Sequence, residues 1–199
     1  MKSAYMEIAR SLEADCAAED IVDKMMAWWR EGENVFKRLI DSYHSDLTVD
    51  DLLRIYRSHI PSLSLDGETK DMLQWLSERA VVGIITDGRS VTQHNKITAL
   101  GLDAFMKEED ILVSGDRDNW EKPSELPFKH FMERYPSRTY YYIGDNLAKD
   151  FVAPNRLGWT TICLSDDGRN IHHQDFNLPQ PMLPQHTISQ IRETENLII

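Results

Sequence analysis

The sequence predicts an α/β protein in which a parallel sheet is flanked by helices and preceded by a small all-α segment. From about residue 63 onward, short apolar runs alternate with helical patterns, which is the arrangement of βα units. Residues 3 to about 60 show helical periodicity instead, with no strand pattern between the helices. We therefore expect a helical domain over residues 1–62 and an α/β domain over residues 63–199.

The N-terminal segment is predicted to form a bundle of about four helices. Apolar residues recur at helical spacing in four stretches, residues 4–12, 19–30, 34–43 and 49–60. Thr48 is a suitable N-cap for the last helix, and Asp50 and Asp51 would place negative charge in its first turn.

The α/β segment is predicted to alternate between helices and strands along its whole length. Its elements are a helix at 68–79, a strand at 81–85, a helix at 90–100, a strand at 111–113, a helix at 123–134, a strand at 139–143, a helix at 148–157, a strand at 159–164, a loop at 166–184 and a closing helix at 186–197.

Composition narrows the classes of partner. The chain has 199 residues and a net charge of −11, so it repels nucleic acid and anionic membranes at long range. An anionic substrate therefore needs local cations.

Two cysteines, Cys16 and Cys163, form neither a disulfide framework nor a zinc pattern. No signal peptide or membrane-spanning run is visible, and we expect a cytoplasmic protein.

Two strand ends and one loop carry residues suited to anion binding or catalysis. Thr86-Asp87-Gly88 follows a β-branched run, and a hydroxyl with free N–H groups there can hold a phosphate oxygen. The alternative is an ordinary N-cap for the next helix. Lys122 precedes Pro123, which we expect to open a helix. This lysine could reach an anion or could be solvated.

The third stretch is the run from Tyr140 to Asp150. A buried strand ends at Gly144-Asp145, and Asp150 follows five residues later. Carboxylates at the carboxyl end of a parallel strand can hold a hard cation such as Mg²⁺. They could equally cap the next helix and interact with its dipole.

In order and spacing, these residues resemble the haloacid dehalogenase (HAD) superfamily of phosphohydrolases. Thr86 matches the second motif of that family, Lys122 the third, and Asp145 with Asp150 the acidic fourth motif. The resemblance covers roughly residues 65–197 and implies a Rossmann-like core. The preceding helices stand where the family inserts a helical cap of its C1 type.

The resemblance implies a role for each matched residue. Asp145 would bind Mg²⁺, and Asp150 would support the cation. Lys122 would offset negative charge, and Thr86 would hydrogen-bond the transferring phosphoryl group, with help from the backbone at Asp87 and Gly88. The implied reaction is Mg²⁺-dependent hydrolysis of a small phosphorylated metabolite through an aspartyl-phosphate.

The sequence departs from the family in lacking its first motif, an apolar strand that ends in Asp-x-Asp. Asp116-Arg117-Asp118 is the one Asp-x-Asp present, and its position before Lys122 does not suit a nucleophile. In the family, the missing strand lies between the strands predicted here at 81–85 and 139–143. We therefore expect that Met1 is an internal start and that the chain as given is inactive or nearly so.

Three functions remain open. The first is the phosphatase described above. The second is a metal-independent dehalogenase, against which Asp145, Lys149 and Asp150 argue. The third is a non-catalytic binding or regulatory protein that has lost its nucleophile. The sequence indicates neither the substrate nor the oligomeric state.

Overall fold

The computed structural model describes residues 1–12, 15–168, 170 and 173–198. No helix among them is long and apolar enough to cross a membrane. Leaving aside short 3-10 turns, the elements run in the order α1 Lys2–Ser11, α2 Ala18–Arg30, α3 Val35–Tyr43, α4 Val49–Ser58, α5 Gly67–Ser77, β1 Ile84–Thr86, α6 Ser90–Leu100, β2 Ile111–Val113, α7 Leu126–Arg134, β3 Tyr141–Gly144, α8 Val152–Arg156, β4 Thr160–Leu164 and β5 His186–Ile188.

The chain divides into two compact units. Residues Met1–Ser64 and Val91–Gly101 form the first, which we call the helical unit. Residues Leu65–Ser90 and Leu102–Ile199 form the second, the sheet unit. The first break in the chain lies near the predicted boundary at 62, but most of α6 groups with the N-terminal helices rather than with the strands.

Apolar faces of the four N-terminal helices build the core of the helical unit, as their periodicity predicts. The fully buried side chains there include Ile8, Ile21, Met25, Leu39 and Leu52. The predicted N-cap of α4 is confirmed, since Thr48 and Asp51 form a reciprocal capping box.

Hydrogen bonds to the end of α4 explain why α6 packs in the helical unit. The Thr92 hydroxyl donates to the carbonyl of Arg57 at 3.4 Å, and the Asn95 amide donates to the carbonyls of Ser58 and His59 at 3.2 and 3.1 Å. These contacts satisfy backbone acceptors that the end of a helix leaves open.

The sheet unit contains two parallel sheets. One pairs β1 with β2, and the other has the order β3-β4-β5. The predicted α/β class is therefore confirmed. Among the described residues, β1 and β3 do not pair with each other, and the second edge of each strand has no strand partner. This break falls where the sequence predicts a missing central strand.

Side chains from both sheets nevertheless share one aromatic core. Phe128 on α7 packs edge-on against Tyr142 of β3 and against Trp159, with ring centroids 5.0 and 5.3 Å apart. Leu112 of β2 belongs to the same buried cluster. Apolar packing therefore joins the β1-β2 side of the unit to the β3-β4-β5 side without a hydrogen-bonded ladder between them.

Three predicted helices need correction. The helix predicted at 123–134 begins at Leu126, with a proline in its first turn. The one predicted at 148–157 is confined to Val152–Arg156, because the residues before it form a turn around Asp150. The predicted closing helix is instead β5 followed by a 3-10 helix at Ile191–Asn196, since β5 finds a parallel partner in β4.

Candidate active site

The motif residues lie in the sheet unit, around the carboxyl ends of β1 and β3. Thr86 is the last residue of β1, and Asp87 and Gly88 follow it. Asp145 follows the last residue of β3, and Lys122 lies in the loop before α7. Parallel strands point their carboxyl ends to one edge, which is where open α/β sheets bind ligands.

Lys122 is the most buried cation of this site. Its Nζ lies 2.8 Å from Oδ1 of Asp150 and donates a hydrogen bond to the Tyr142 hydroxyl at 2.9 Å. The side chain is 9% exposed. Burial lowers the pKa of Lys122, but Tyr142 and Asp150 more than offset this and hold the pKa above its ordinary value. Lys122 therefore carries its positive charge at neutral pH.

Asp150 organises the turn after β3. Its Oδ2 accepts hydrogen bonds from the backbone N–H groups of Asp145 and Asn146 at 3.1 and 2.9 Å. A Cβ atom on Gly144 would lie 2.7 Å from the same oxygen, so only glycine fits there without displacement. One oxygen of Asp150 thus holds the turn, and the other pairs with Lys122.

These contacts bear on the predicted Mg²⁺ ligands, Asp145 and Asp150. Both oxygens of Asp150 already contact protein donors. Across the described part of the chain, no group of three or more His, Cys, Asp or Glu side chains could hold a metal ion. Because Mg²⁺ is commonly held by one or two carboxylates together with water and substrate oxygens, the roles of Asp145 and Asp150 as ligands stay a prediction.

Asp87 is held by two lysines. Its Oδ1 accepts the backbone N–H of Lys122 at 3.1 Å, and its Oδ2 lies 2.8 Å from Nζ of Lys149. Lys149 also lies 3.7 Å from a carboxylate oxygen of Glu121. The loop after β1 is thereby tied to both other motif segments.

The backbone N–H of Gly88 forms a hydrogen bond within the protein. The Gly88 N–H donates to the Ser114 hydroxyl at 3.1 Å, and this glycine has a φ of 137°. A Cβ atom on Gly115 would lie 2.4 Å from the Gly88 carbonyl oxygen. The loop that starts at Thr86 therefore rests directly on the turn after β2.

Asp116 and Asp118 differ from the residues of this network in burial. Asp116 ends a 3-10 helix after β2, and both aspartates are exposed. Exposed carboxylates keep their water shell and gain little from the dipoles of a protein site. The structure thus gives the sole Asp-x-Asp of the sequence no place among the contacts of Lys122.

Gln174, which no motif indicated, forms a hydrogen bond with the backbone of Asp145. The Gln174 amide donates to the carbonyls of Asp145 and Leu164, at 2.8 and 2.9 Å. The neighbouring thiol of Cys163 is buried, and burial raises its pKa to about 11, so it stays protonated.

Sequence reasoning also missed the roles of Tyr142, Ser114 and Lys149. Tyr142 belongs to the predicted buried strand, and its hydroxyl contacts Lys122. Lys149 was used to favour a metal site, yet it pairs with Asp87. The position of Tyr142 in a predicted buried strand just before Asp145 could have indicated such a contact, because a buried tyrosine hydroxyl needs a hydrogen-bond partner.

Comparisons with known proteins agree with the motif pattern. The model of the haloacid dehalogenase-like hydrolase family matches residues 4–164. The HAD-hydrolase YfnB of Bacillus subtilis is 28% identical over 131 residues, which cover 64% of this chain and 52% of YfnB. A glyceraldehyde 3-phosphate phosphatase of Pyrococcus furiosus is 31% identical over 98 residues, which cover 48% of this chain and 40% of that protein. The chain spans about half the length of these curated relatives.

Solved structures show the same fold. The structure of YfnB bound to magnesium matches with a TM-score of 0.58 and 22% identity, covering 90% of this chain and 79% of YfnB. A HAD phosphatase from Thermococcus onnurineus matches with a TM-score of 0.56 and 18% identity, covering 98% and 86%. A dehalogenase matches with a TM-score of 0.57 and 16% identity, covering 99% and 90%.

Proposed function

The chain belongs to the family of haloacid dehalogenase-like hydrolases, and on that premise we propose that its site hydrolyses phosphate monoesters of small metabolites. Lys122 carries the proposal. Its buried ammonium is fixed between Asp150 and Tyr142, and its backbone is bonded to Asp87 in the loop that starts at Thr86. A fixed cation beside strand-end hydroxyl and N–H groups suits the charge that develops on a transferring phosphoryl group.

The proposal assigns a role to each of the four motif residues. Lys122 holds negative charge in place, and Thr86 hydrogen-bonds a phosphoryl oxygen. Asp145 would contribute to a Mg²⁺ site, with the remaining ligands supplied by substrate and by a further carboxylate. Bound Mg²⁺ would add positive charge beside the phosphoryl oxygens. Asp150 positions Lys122 and the turn that carries Asp145.

The nucleophile is the part of the proposal that the described residues do not supply. We assign it to a strand ending in Asp-x-Asp, inserted next to β1 and β3. With such a strand, the first aspartate would attack phosphorus, and the ester P–O bond would break as the alcohol leaves with a proton from the second aspartate. Water would then hydrolyse the aspartyl-phosphate and release inorganic phosphate. Without it, we expect the chain to turn over slowly or not at all.

A fusion protein tests this directly. A segment with an apolar strand that ends in Asp-x-Asp would be joined to the N-terminus of this chain, and p-nitrophenyl phosphate and glyceraldehyde 3-phosphate would be offered with Mg²⁺. We expect phosphate release by the fusion that is lost with a chelator. The control is the same fusion with its first aspartate changed to asparagine, which should be inactive. A folded fusion that releases no phosphate from either ester would contradict the proposal.

The same protein separates the two other functions. A dehalogenase would release halide from a 2-haloacid without Mg²⁺. A binding or regulatory protein would remain inactive on both substrate classes. The observation that favours this last function is that Asp150 pairs with Lys122 and Asp87 with Lys149, so both lysines are already neutralised within the chain. The names of the phosphatase relatives favour the first function.

A further inference from the structure

One ion pair of the sheet unit joins the two loops on which the proposed phosphate site depends. Lys149 lies in the turn between β3 and α8, and Asp87 in the loop after β1. Their charged atoms are 2.8 Å apart. The Asp87 side chain is 10% exposed and that of Lys149 is 29% exposed, so water screens this pair less than it screens a surface pair.

The surroundings make Asp87 the main partner of Lys149. Glu121, the other carboxylate near Lys149, is farther away at 3.7 Å and 72% exposed. Asp87 also accepts the backbone N–H of Lys122 through its other oxygen. The carboxylate is therefore anchored by its loop, whereas Lys149 has a flexible four-carbon stem and three donors that can point elsewhere.

Charge balance indicates what the pair does to an incoming anion. The linked residues include four carboxylates, those of Asp87, Glu121, Asp145 and Asp150, against the two ammonium groups of Lys122 and Lys149. A phosphate that approaches this edge meets more negative than positive charge. Of the two lysines, Lys149 is the more exposed, and its ammonium is held by Asp87 at the margin of the buried network.

We propose that Lys149 is a phosphate-binding residue of this site and that Asp87 masks its charge until an anion competes for it. The inference rests on the proposed phosphate site. Lys149 moves its ammonium from Asp87 to a phosphoryl oxygen, and Asp87 keeps its bond to the Lys122 backbone. The ion pair thus sets how strongly an anion must bind before the site accepts it.

Replacing Asp87 tests the masking. Asp87→Asn retains an oxygen for the Lys122 N–H but removes the charge that holds Lys149. We expect inorganic phosphate, measured by calorimetry at constant low ionic strength without Mg²⁺, to bind about tenfold or more tightly, since a unit charge within a few ångströms has at least that effect. Asp87→Ser provides a second variant should the asparagine perturb the loop. Asp103→Asn, an exposed change of equal charge in the same unit, should leave affinity unchanged.

Tighter phosphate binding by Asp87→Asn could arise because Lys149 is released to bind the anion, or because Asp87 no longer repels it. Removal of Lys149 distinguishes these two explanations. In Lys149→Met, phosphate binding should be weaker than in the unmodified chain. In the double variant Asp87→Asn/Lys149→Met, the tenfold gain should disappear. A gain that persists without Lys149 would overturn the inference, as would Asp87 variants that bind phosphate no better than the Asp103 control.

The outcomes for this inference and for the proposed function are separable. If Asp87 and Lys149 are coupled in phosphate binding but the fusion hydrolyses no ester, the role of Lys149 in phosphate binding is supported and the proposed phosphatase activity is rejected. Hydrolysis by the fusion without such coupling would retain the phosphatase and reject the role of Lys149.

Discussion

Lys122 and Asp150 form a buried ion pair that fixes the loop before α7 against the turn after β3. The two charged atoms are 2.8 Å apart, and the side chains are 9% and 3% exposed. Each partner has further bonds, Lys122 to Tyr142 and Asp150 to the backbone of Asp145 and Asn146. Loss of either charge would leave the other buried without compensation, which is costly in a protein interior.

We expect Lys122→Met to lower the free energy of unfolding by about 3–5 kcal/mol, because the buried Asp150 carboxylate would lose its counterion. Urea denaturation followed by circular dichroism would measure this loss. Lys129→Met is the matched control. Lys129 pairs with Glu125 at the same 2.8 Å, but the side chains are 50% and 31% exposed, so we expect a much smaller loss than for Lys122→Met.

The double variant Lys122→Met/Asp150→Asn provides a second test of the same pair. Removal of both charges should recover part of the loss, since no uncompensated ion remains. Equal losses of unfolding free energy in the Lys122 and Lys129 variants would contradict the conclusion that burial makes the Lys122–Asp150 pair important for stability.

Gly144→Ala should disturb the turn that carries Asp145. The added methyl group would lie 2.7 Å from Oδ2 of Asp150 and 3.0 Å from a ring carbon of Tyr142. We expect a loss of about 1–3 kcal/mol in unfolding free energy, the usual cost of overpacking. The control is Gly67→Ala, where the new Cβ meets nothing within 4 Å. Similar unfolding midpoints for both variants would show that the turn adapts without cost.

Thr48→Ala should weaken the start of α4, because it removes the acceptor for the Asp51 N–H and a donor to the Asp51 carboxylate. Loss of such a cap costs about 1 kcal/mol. Denaturation of the unmodified and variant chains at neutral pH would measure it. Asp50→Asn changes a charge in the same turn and leaves the capping box intact, so its effect should be smaller.

The same contact predicts a pH dependence. Hydrogen bonds from the Thr48 side chain and backbone lower the pKa of Asp51 below its ordinary 3.8. The associated stabilisation is thus complete above that value and disappears as pH falls through the lower pKa of the folded state. The difference between the unmodified chain and Thr48→Ala should shrink as pH is lowered below 3.8. A difference that is constant with pH would exclude this contribution.

Insertion of a strand between β1 and β3 should change hydrogen exchange locally. In the fusion that carries the Asp-x-Asp strand, we expect slower exchange at Ile84–Thr86 and Tyr141–Gly144, because a new ladder would occupy their second edges. Mass spectrometry of peptides from those regions would detect it. β4 already pairs on both sides, with β3 and β5, and serves as the control. Unchanged exchange at β1 and β3 would place the segment elsewhere.

Much of the fold was predictable because the local signals were strong. Helical periodicity placed the N-terminal helices, and Thr48 marked the start of α4 correctly. The signal at residues 186–197 was weaker. There the pairing of β5 with β4, rather than local propensity, determines the structure. A strand whose partner lies more than twenty residues earlier leaves little trace in its own sequence.

The sequence proposes the residues of the candidate site but not the contacts between them. Thr86, Lys122, Asp145 and Asp150 were selected from their places after strands and in loops, and their roles in binding and catalysis stay predictions. Which carboxylate each lysine would choose depends on distances between loops far apart in the chain. The pairing of Lys149 with Asp87 rather than with its neighbour Asp150 is the clearest case.

The separation of the two sheets has a consequence for how copies of this chain behave together in solution. Within the described residues, β1 and β3 each keep one edge without a strand partner, and such edges can pair with another molecule. The net charge of −11 makes approaching copies repel one another. Salt at about 0.15 M shortens that repulsion to about 8 Å. Colloidal stability should therefore fall as ionic strength rises, and should recover when a strand occupies the gap.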